Sequence, residues 1–287
     1  LLMREEKLDE EILKKTEMPL ANFPDLTNWE RFLQKLKNPK GKVEIGLIGK
    51  YVELKDAYKS ILESFIHAGA ENEYEVEVRS IHSETITDVS STKILKGLSG
   101  ILVAPGFGER GIEGKISAIR WARENHIPFL GICLGMQCAV IEYGRNVLNF
   151  KGAHSTEFDP ETAYPVIDLM DEQKQIDDMG GTMRLGAYPC RIDKSSKAYA
   201  VYGKEDVSER HRHRYEFNNK YLDDYRNAGM IPVGINPDKD LVEMMEIPDH
   251  PWFIGVQFHP EYKSTVAEPH PLFVRFIEAC IKQGKQD

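Results

Sequence analysis

The chain has 287 residues, enough for one large α/β domain or two ordinary ones, in the proportions of a soluble globular protein. Its 37 Lys plus Arg stand against 46 Asp plus Glu, and the resulting −9 repels polyanions, which argues against nucleic acid or a membrane surface as partner. Cys133, Cys138, Cys190 and Cys280 lack paired CxxC spacing, so neither a metal site nor a disulfide framework is expected, and a reducing, cytoplasmic setting fits.

The start, "LLMREEKLDEE", is acidic and lacks the basic and apolar regions of a secretory signal; with Met at position 3 it reads as a piece of a longer chain. Leu8, Ile12 and Leu13 suggest a short helix, followed by Pro19 and Pro24. Thr27 and Glu30 form a capping-box pair ahead of Phe32, Leu33 and Leu36, predicting a second helix that stops near "NPKG". Residues 1–40 are thus expected to be a linker docked on a domain spanning 41–287.

From residue 42 the pattern changes to alternating strands and helices. "VEIGLIG" predicts a strand, and Ala57, Tyr58, Ile61, Leu62, Phe65 and Ile66 recur at helical spacing up to Gly69. "YEVEVRSI" predicts a strand with one wet face; a helix over about 87–97, the strand "GILVA" and a helix over about 112–125 follow. This order implies an α/β, doubly wound, mostly parallel sheet with helices on both faces.

"IPFLGICLGMQCAVIEYG" comes next, and its alternation of Gly131, Cys133 and Gly135 breaks an apolar run. A membrane span is disfavoured by Pro128, Gln137 and Glu142. The glycines suit a sharp strand-to-helix turn with Cys133 at the bend, where helix N-terminal amides favour the reactive thiolate. A lone cysteine is more often a small buried apolar residue. After residue 145 the rhythm loosens, with strand-like pieces near 187–192 and 198–202. "IPVGIN", "LVEMMEI" and "WFIGVQF" predict strands, and Leu272 to Ile281 a closing helix.

Two further segments belong at the carboxyl ends of strands, where doubly wound sheets bind ligands. "GVQFHPEY" places His259 and Glu261 two residues apart, so that the carboxylate can orient the imidazole. A thiolate needs a base and the base an orienter, so Cys, His and carboxylate together count for more than each alone. "ILVAPGFGERG" can point backbone N–H groups at developing negative charge, though it matches no nucleotide fingerprint.

"GKYVELKDAYKS", "GFGERGIEGK", "GICLGMQ", "STEFDP", "GGTMRLG", "ERHRHRYE" and "GVQFHPEY" together resemble the class I glutamine amidotransferases and, among them, the C-terminal glutaminase domains of the CTP synthase family. The resemblance covers about residues 41–280, and residues 1–40 look like the end of the linker from a synthetase domain. It implies Cys133 as nucleophile, His259 as acid and base, Glu261 as its orienter, and the Gly106 and Leu134 amides as an oxyanion hole. It also implies a glutamine site of Gly106, Leu134, Gly135, Met136, Gln137, Glu157 and Arg214, with no metal and no cofactor in this domain. ATP, Mg2+ and UTP would belong to the synthetase domain, GTP would be an allosteric activator, and the full-length enzyme would be a homotetramer. The outer arginines of "RHRHR" read as a solvated patch. Two departures stand out. Pro105 replaces a usual glycine and removes an N–H, leaving the next amide, Gly106, for the hole, and Lys55 stands where proline is common. A γ-glutamyl hydrolase-like peptidase, or a regulatory module idle without its other half, are the alternatives.

Overall fold

The computed structural model of the chain describes residues 2–19, 25–54, 56–169 and 183–285. Pro24, Lys55 and the Gly180, Gly181 and Thr182 of "GGTMRLG" lie outside the described residues. Two short helices, α1 (Leu2–Glu5) and α2 (Leu8–Lys15), precede α3 (Thr27–Lys37). The capping box expected for α3 does not form. Asp25, two residues upstream, takes the Thr27 N–H at 2.9 Å and its hydroxyl at 2.6 Å, so the cap is an Asx turn instead. On the next helix, Lys35 pairs with Glu71 at 2.8 Å and Phe32 sets its ring edge on His67, which docks α3.

The sheet begins with β1 (Gly41–Gly49), followed by α4 (Lys59–Asn72) and β2 (Tyr74–His82). Next come α5 (Ser91–Leu95), β3 (Gly100–Val103), α6 (Ile112–Glu124), β4 (Phe129–Ile132) and α7 (Leu134–Asn146). The helix expected over 87–97 shrinks to α5 because Thr87 and Ser90 tie the preceding turn through their own hydroxyls, and Gly97, at φ 84°, ends it. Small strands β5 (His154–Ser155) and β6 (Pro165–Asp168) precede β7 (Arg184–Ile192), α8 (Lys197–Tyr202), β8 (Asp206–His213) and β9 (Glu216–Phe217). The chain closes with α9 (Leu222–Ala228), β10 (Ile231–Asn236), β11 (Leu241–Glu246), β12 (Phe253–Val256) and α10 (Pro271–Gln283).

The strand-like reading of 198–202 is corrected by α8. Ser196 Oγ caps it by accepting the Tyr199 N–H at 2.9 Å, and the Glu246 carboxylate accepts the first two amides, so end chemistry overrides the alternation of Ala and bulky residues.

The main sheet runs β2-β1-β3-β4-β12-β11-β10-β7-β8. Its first five strands pair in parallel, as the alternation of strand and helix requires, and the last four add in antiparallel fashion. Helices cover both faces. Phe65 of α4 and Phe273 and Phe276 of α10 fill one apolar layer, while Ile116 and Ile119 of α6 and Val140 and Ile141 of α7 fill the other. Among the described residues no helix is long and apolar enough to cross a membrane.

Candidate active site

The parallel neighbours β1, β3, β4 and β12 end side by side, so the segments after them converge on one edge of the sheet. β4 delivers Cys133 at the N-cap of α7 with φ 52° and ψ −104°, a conformation costly for a residue with a Cβ and held by the structure around it. The flanking glycines are needed for close approach. A Cβ on Gly135 would lie 2.2 Å from the Val103 carbonyl oxygen, and one on Gly131 2.8 Å from the Gly135 backbone. Without them α7 could not sit on β3 and β4, and Cys133 would leave the sheet edge.

Beside it, the chain leaving β12 supplies His259 and Glu261, both buried. Glu261 Oε1 takes His259 Nδ1 at 2.7 Å, and Tyr262 stacks on the imidazole with centroids 5.0 Å apart. Burial by itself would push the His259 pKa down, but the neighbouring Cys133 and Glu261 outweigh it and raise it to about 11. β12 pairs in parallel with β4, and the Cys133 N–H donates to Val256 O at 2.7 Å, so the ends that carry sulfur and imidazole lie side by side although they stand far apart in the sequence.

β3 supplies the third wall. Its loop carries Gly106, which lines a cleft of about 70 Å³ together with Phe107, Cys133, Gln137, Glu157, Met183, His213, Arg214 and Tyr215. The space in front of Gly106 is bounded by Leu134 Cδ2, Lys50 Cε and Lys115 Nζ, at 3.5, 3.6 and 3.8 Å from where a Cβ would stand. Two lysines hold this loop. Lys50 donates to the Phe107 carbonyl, and the fully buried Lys115 donates to Ala104 O at 2.7 Å. Burial lowers the Lys115 pKa to about 8.

Of the residues expected in the site, Gly106, Cys133, Gln137, Glu157 and Arg214 share this cleft, Leu134 borders it, and His259 and Glu261 pair with each other outside its lining. Glu157 accepts the Gly108 N–H at 3.3 Å, and burial raises its pKa. Gly135 and Met136 do not present side chains here: Gly135 lies on Val103, and Met136 is wholly buried against Gly255. Only their main chain is left to face a ligand.

Behind the cleft lies a buried network that sequence reading did not foresee. Arg184 of β7 donates to Glu216 at 2.9 Å and to Glu243 at 2.8 Å, and its guanidinium lies over Tyr188. His211 and His213 of β8 share a 2.9 Å hydrogen bond, with His213 at the cleft wall. Burial keeps both imidazoles neutral, taking His211 down to about 3 and His213 well below its ordinary value, and it lifts Glu216 to about 8. The signal was available: in the "RHRHRY" of "ERHRHRYE" charged and neutral positions alternate with period two, the mark of a strand with one buried face. Arg210 and Arg212 occupy its exposed face, as expected of the outer arginines, and the network joins Arg184 of "GGTMRLG" to Glu216 of "ERHRHRYE". Lys115 was missed because an amphipathic helix gives no warning of a lysine on its buried side.

A thiol beside an oriented imidazole, in a cleft that also holds a carboxylate and a guanidinium, can carry out nucleophilic substitution at the acyl group of an amino-acid-like ligand. Among the described residues no group of three or more His, Cys, Asp or Glu could hold a metal ion.

Residues 53–279 match the family model for glutamine amidotransferase class-I. The CTP synthases of Christiangramia forsetii and Flavobacterium psychrophilum are 63% and 62% identical, over 97% and 98% of this chain. The chain spans about half of their length, 51% and 52%. Among solved structures, the acivicin-bound glutaminase domain of Trypanosoma brucei CTPS is 39% identical with a TM-score of 0.79, over 84% of this chain and 94% of that one. A GMP synthase-like protein of Thermoplasma acidophilum, 16% identical with a TM-score of 0.54 over 85% of this chain and 96% of that one, shares the fold. By the match over most of its length and by its fold, the chain belongs to the class-I glutamine amidotransferase family.

Proposed function

We propose that the chain hydrolyses the side-chain amide of L-glutamine and supplies ammonia to a synthetase half of the same protein. The observation that carries this reading is the single cleft that unites Cys133 and Gly106 with Gln137, Glu157 and Arg214, with the His259–Glu261 pair at the end of the neighbouring strand. Arg214 offers a planar fork to an α-carboxylate and Glu157 an acceptor to an α-ammonium, so the amide end of a bound glutamine reaches Cys133.

The Cys133 thiolate adds to the amide carbon, and the Gly106 and Leu134 N–H groups receive the negative oxygen. The tetrahedral adduct collapses, His259 gives its proton to the departing nitrogen, and ammonia leaves a glutamyl thioester. Water then adds, passing a proton to His259, and glutamate departs as the sulfur regains its electron pair. The names and the length of the relatives support a place in CTP formation, in which a partner domain uses ATP and Mg2+ to activate UTP. On this reading residues 1–40 are the linker to that domain, GTP is an activator, the whole enzyme is a tetramer, and its compartment is the cytoplasm.

The test is glutamate release from L-glutamine, with the chain alone and joined to the N-terminal half of a CTP synthase. Stoichiometric glutamate and ammonia are expected from the joined protein, and no release from it would overturn the reading. Arg214→Ala should raise the half-saturating glutamine concentration about tenfold or more, with a smaller effect on the maximal rate; an unchanged half-saturating value would remove Arg214 from the ligand site.

Glu261→Gln has a pH signature. A histidine whose pKa is raised keeps its proton through neutral pH and loses it only as the pH climbs through the raised value, here about 11. Removing the Glu261 charge takes away one of the two raising partners, so the alkaline limb of the rate profile should move down by about one unit or more. An unmoved limb would separate Glu261 from the protonation of His259.

A further inference from the structure

We infer that Gln257 is a positioning residue that aims an amide N–H at the Cys133 sulfur, its direction set by a relay running through Gln137 from a main-chain carbonyl; the inference rests on Cys133 being the nucleophile. Gln257 follows β12 directly, is fully buried, and is fixed by its backbone N–H donating to Glu243 O at 2.9 Å. Its Nε2 lies 3.6 Å from Cys133 Sγ, and its Oε1 accepts from Gln137 Nε2 at 3.1 Å.

The two ends of a carboxamide have nearly the same shape, so their assignment follows from their partners. Tyr215 sets the direction, because its carbonyl oxygen can only accept. It lies 2.9 Å from the Gln137 side chain, which must therefore present nitrogen there. That nitrogen has a second hydrogen, which points at Gln257 and requires an oxygen in return. The Gln257 nitrogen is thereby left facing sulfur.

Each link admits one orientation, so the donor is in place before any ligand arrives. It adds to the imidazole on the His259 side, and the Arg212 carbonyl, 4.0 Å from the sulfur, can take the S–H of the neutral thiol. A residue needed only to fill this volume would not have to be an amide. A donor to an anionic sulfur lowers the pH at which that sulfur becomes reactive, because a hydrogen bond to a charged group is worth more than one to a neutral group. Gln137 also lines the cleft, so the relay connects the ligand wall to the nucleophile.

The experiment is the pH dependence of iodoacetamide alkylation of Cys133 in the 287-residue chain, read by mass spectrometry of the Cys133 peptide; Cys138, Cys190 and Cys280 are buried outside the cleft that Cys133 lines and act as internal controls. Gln257→Met, which keeps the volume and removes the donor, should move the profile up by about one pH unit, about a tenfold loss of reactive sulfur at neutral pH. Gln257→Glu keeps the shape, faces a carboxylate toward sulfur and should move it further, and it carries the test if the Met variant does not fold. Profiles that coincide with the parent in folded variants would overturn the inference, since a packing role alone leaves them where they were. A parent chain whose Cys133 reacts no faster than in the urea-unfolded chain would instead remove the nucleophile assignment, and this inference with it.

Discussion

Cys133→Ala is expected to bring glutamine hydrolysis down to background while leaving the fold in place. The side chain is almost wholly buried at the head of α7, and alanine can occupy the same backbone conformation without adding volume. On the proposed mechanism, what disappears is the sulfur that takes the acyl group, so His259 is left with nothing to activate and the Gly106 and Leu134 amides with no adduct to stabilise. Glutamate release is the measurement, with urea unfolding as the control, where the loss of one small buried group should cost about 1 kcal/mol or less. Parental turnover in the variant would remove Cys133 from the chemistry.

Arg184→Met is expected to destabilise the fold strongly. Glu216 and Glu243 are both buried and share one guanidinium, at 2.9 and 2.8 Å. Removing it leaves two uncompensated carboxyl groups in the interior, and breaking a buried ion pair from one side costs about 3–5 kcal/mol. The sign of the pH dependence follows. Burial already raises the pKa of Glu216 to about 8 and lifts that of Glu243, so the folded state binds more protons than the unfolded state as the pH rises above the ordinary carboxyl range. Stability contributed this way is present at low pH and lost as the pH rises through the raised values, and without the arginine those values climb further. Urea denaturation of the variant should therefore show a deficit that widens from pH 6 to pH 9, and adding Glu216→Gln should recover part of it. A deficit that stays constant with pH would mean that Arg184 acts through packing on Tyr188.

The parallel half of the fold was readable because each of its strands is a short apolar run followed by a helix of clear period, from "VEIGLIG" to the elbow at Cys133. The antiparallel half was harder to read. β8 hides its alternation under charged and imidazole side chains whose buried members find partners far along the chain or in each other, Glu209 on Tyr202 and His270 and His211 on His213, which no local pattern can announce. The helix α8 was mistaken for a strand because its decisive partners, Ser196 and Glu246, work through backbone amides at one end and not through side-chain period. Around the cleft, Cys133, His259, Glu261, Gly106, Gln137, Glu157 and Arg214 could be named from motif and resemblance. Gln257, in the same motif as His259, could not: its place depends on an orientation chain through Gln137 and Tyr215, which becomes visible only once β12 lies beside β4.

The central claim is that the sulfur of Cys133 takes the glutamyl group. The most direct measurement is acid quenching during turnover of L-glutamine, followed by mass spectrometry of the peptides. The account predicts a glutamyl adduct on Cys133, present in the parent, accumulating when His259→Asn slows its hydrolysis, and missing in Cys133→Ala. Glutamate formation with no adduct on any cysteine, or an adduct on Cys138, Cys190 or Cys280, would contradict it.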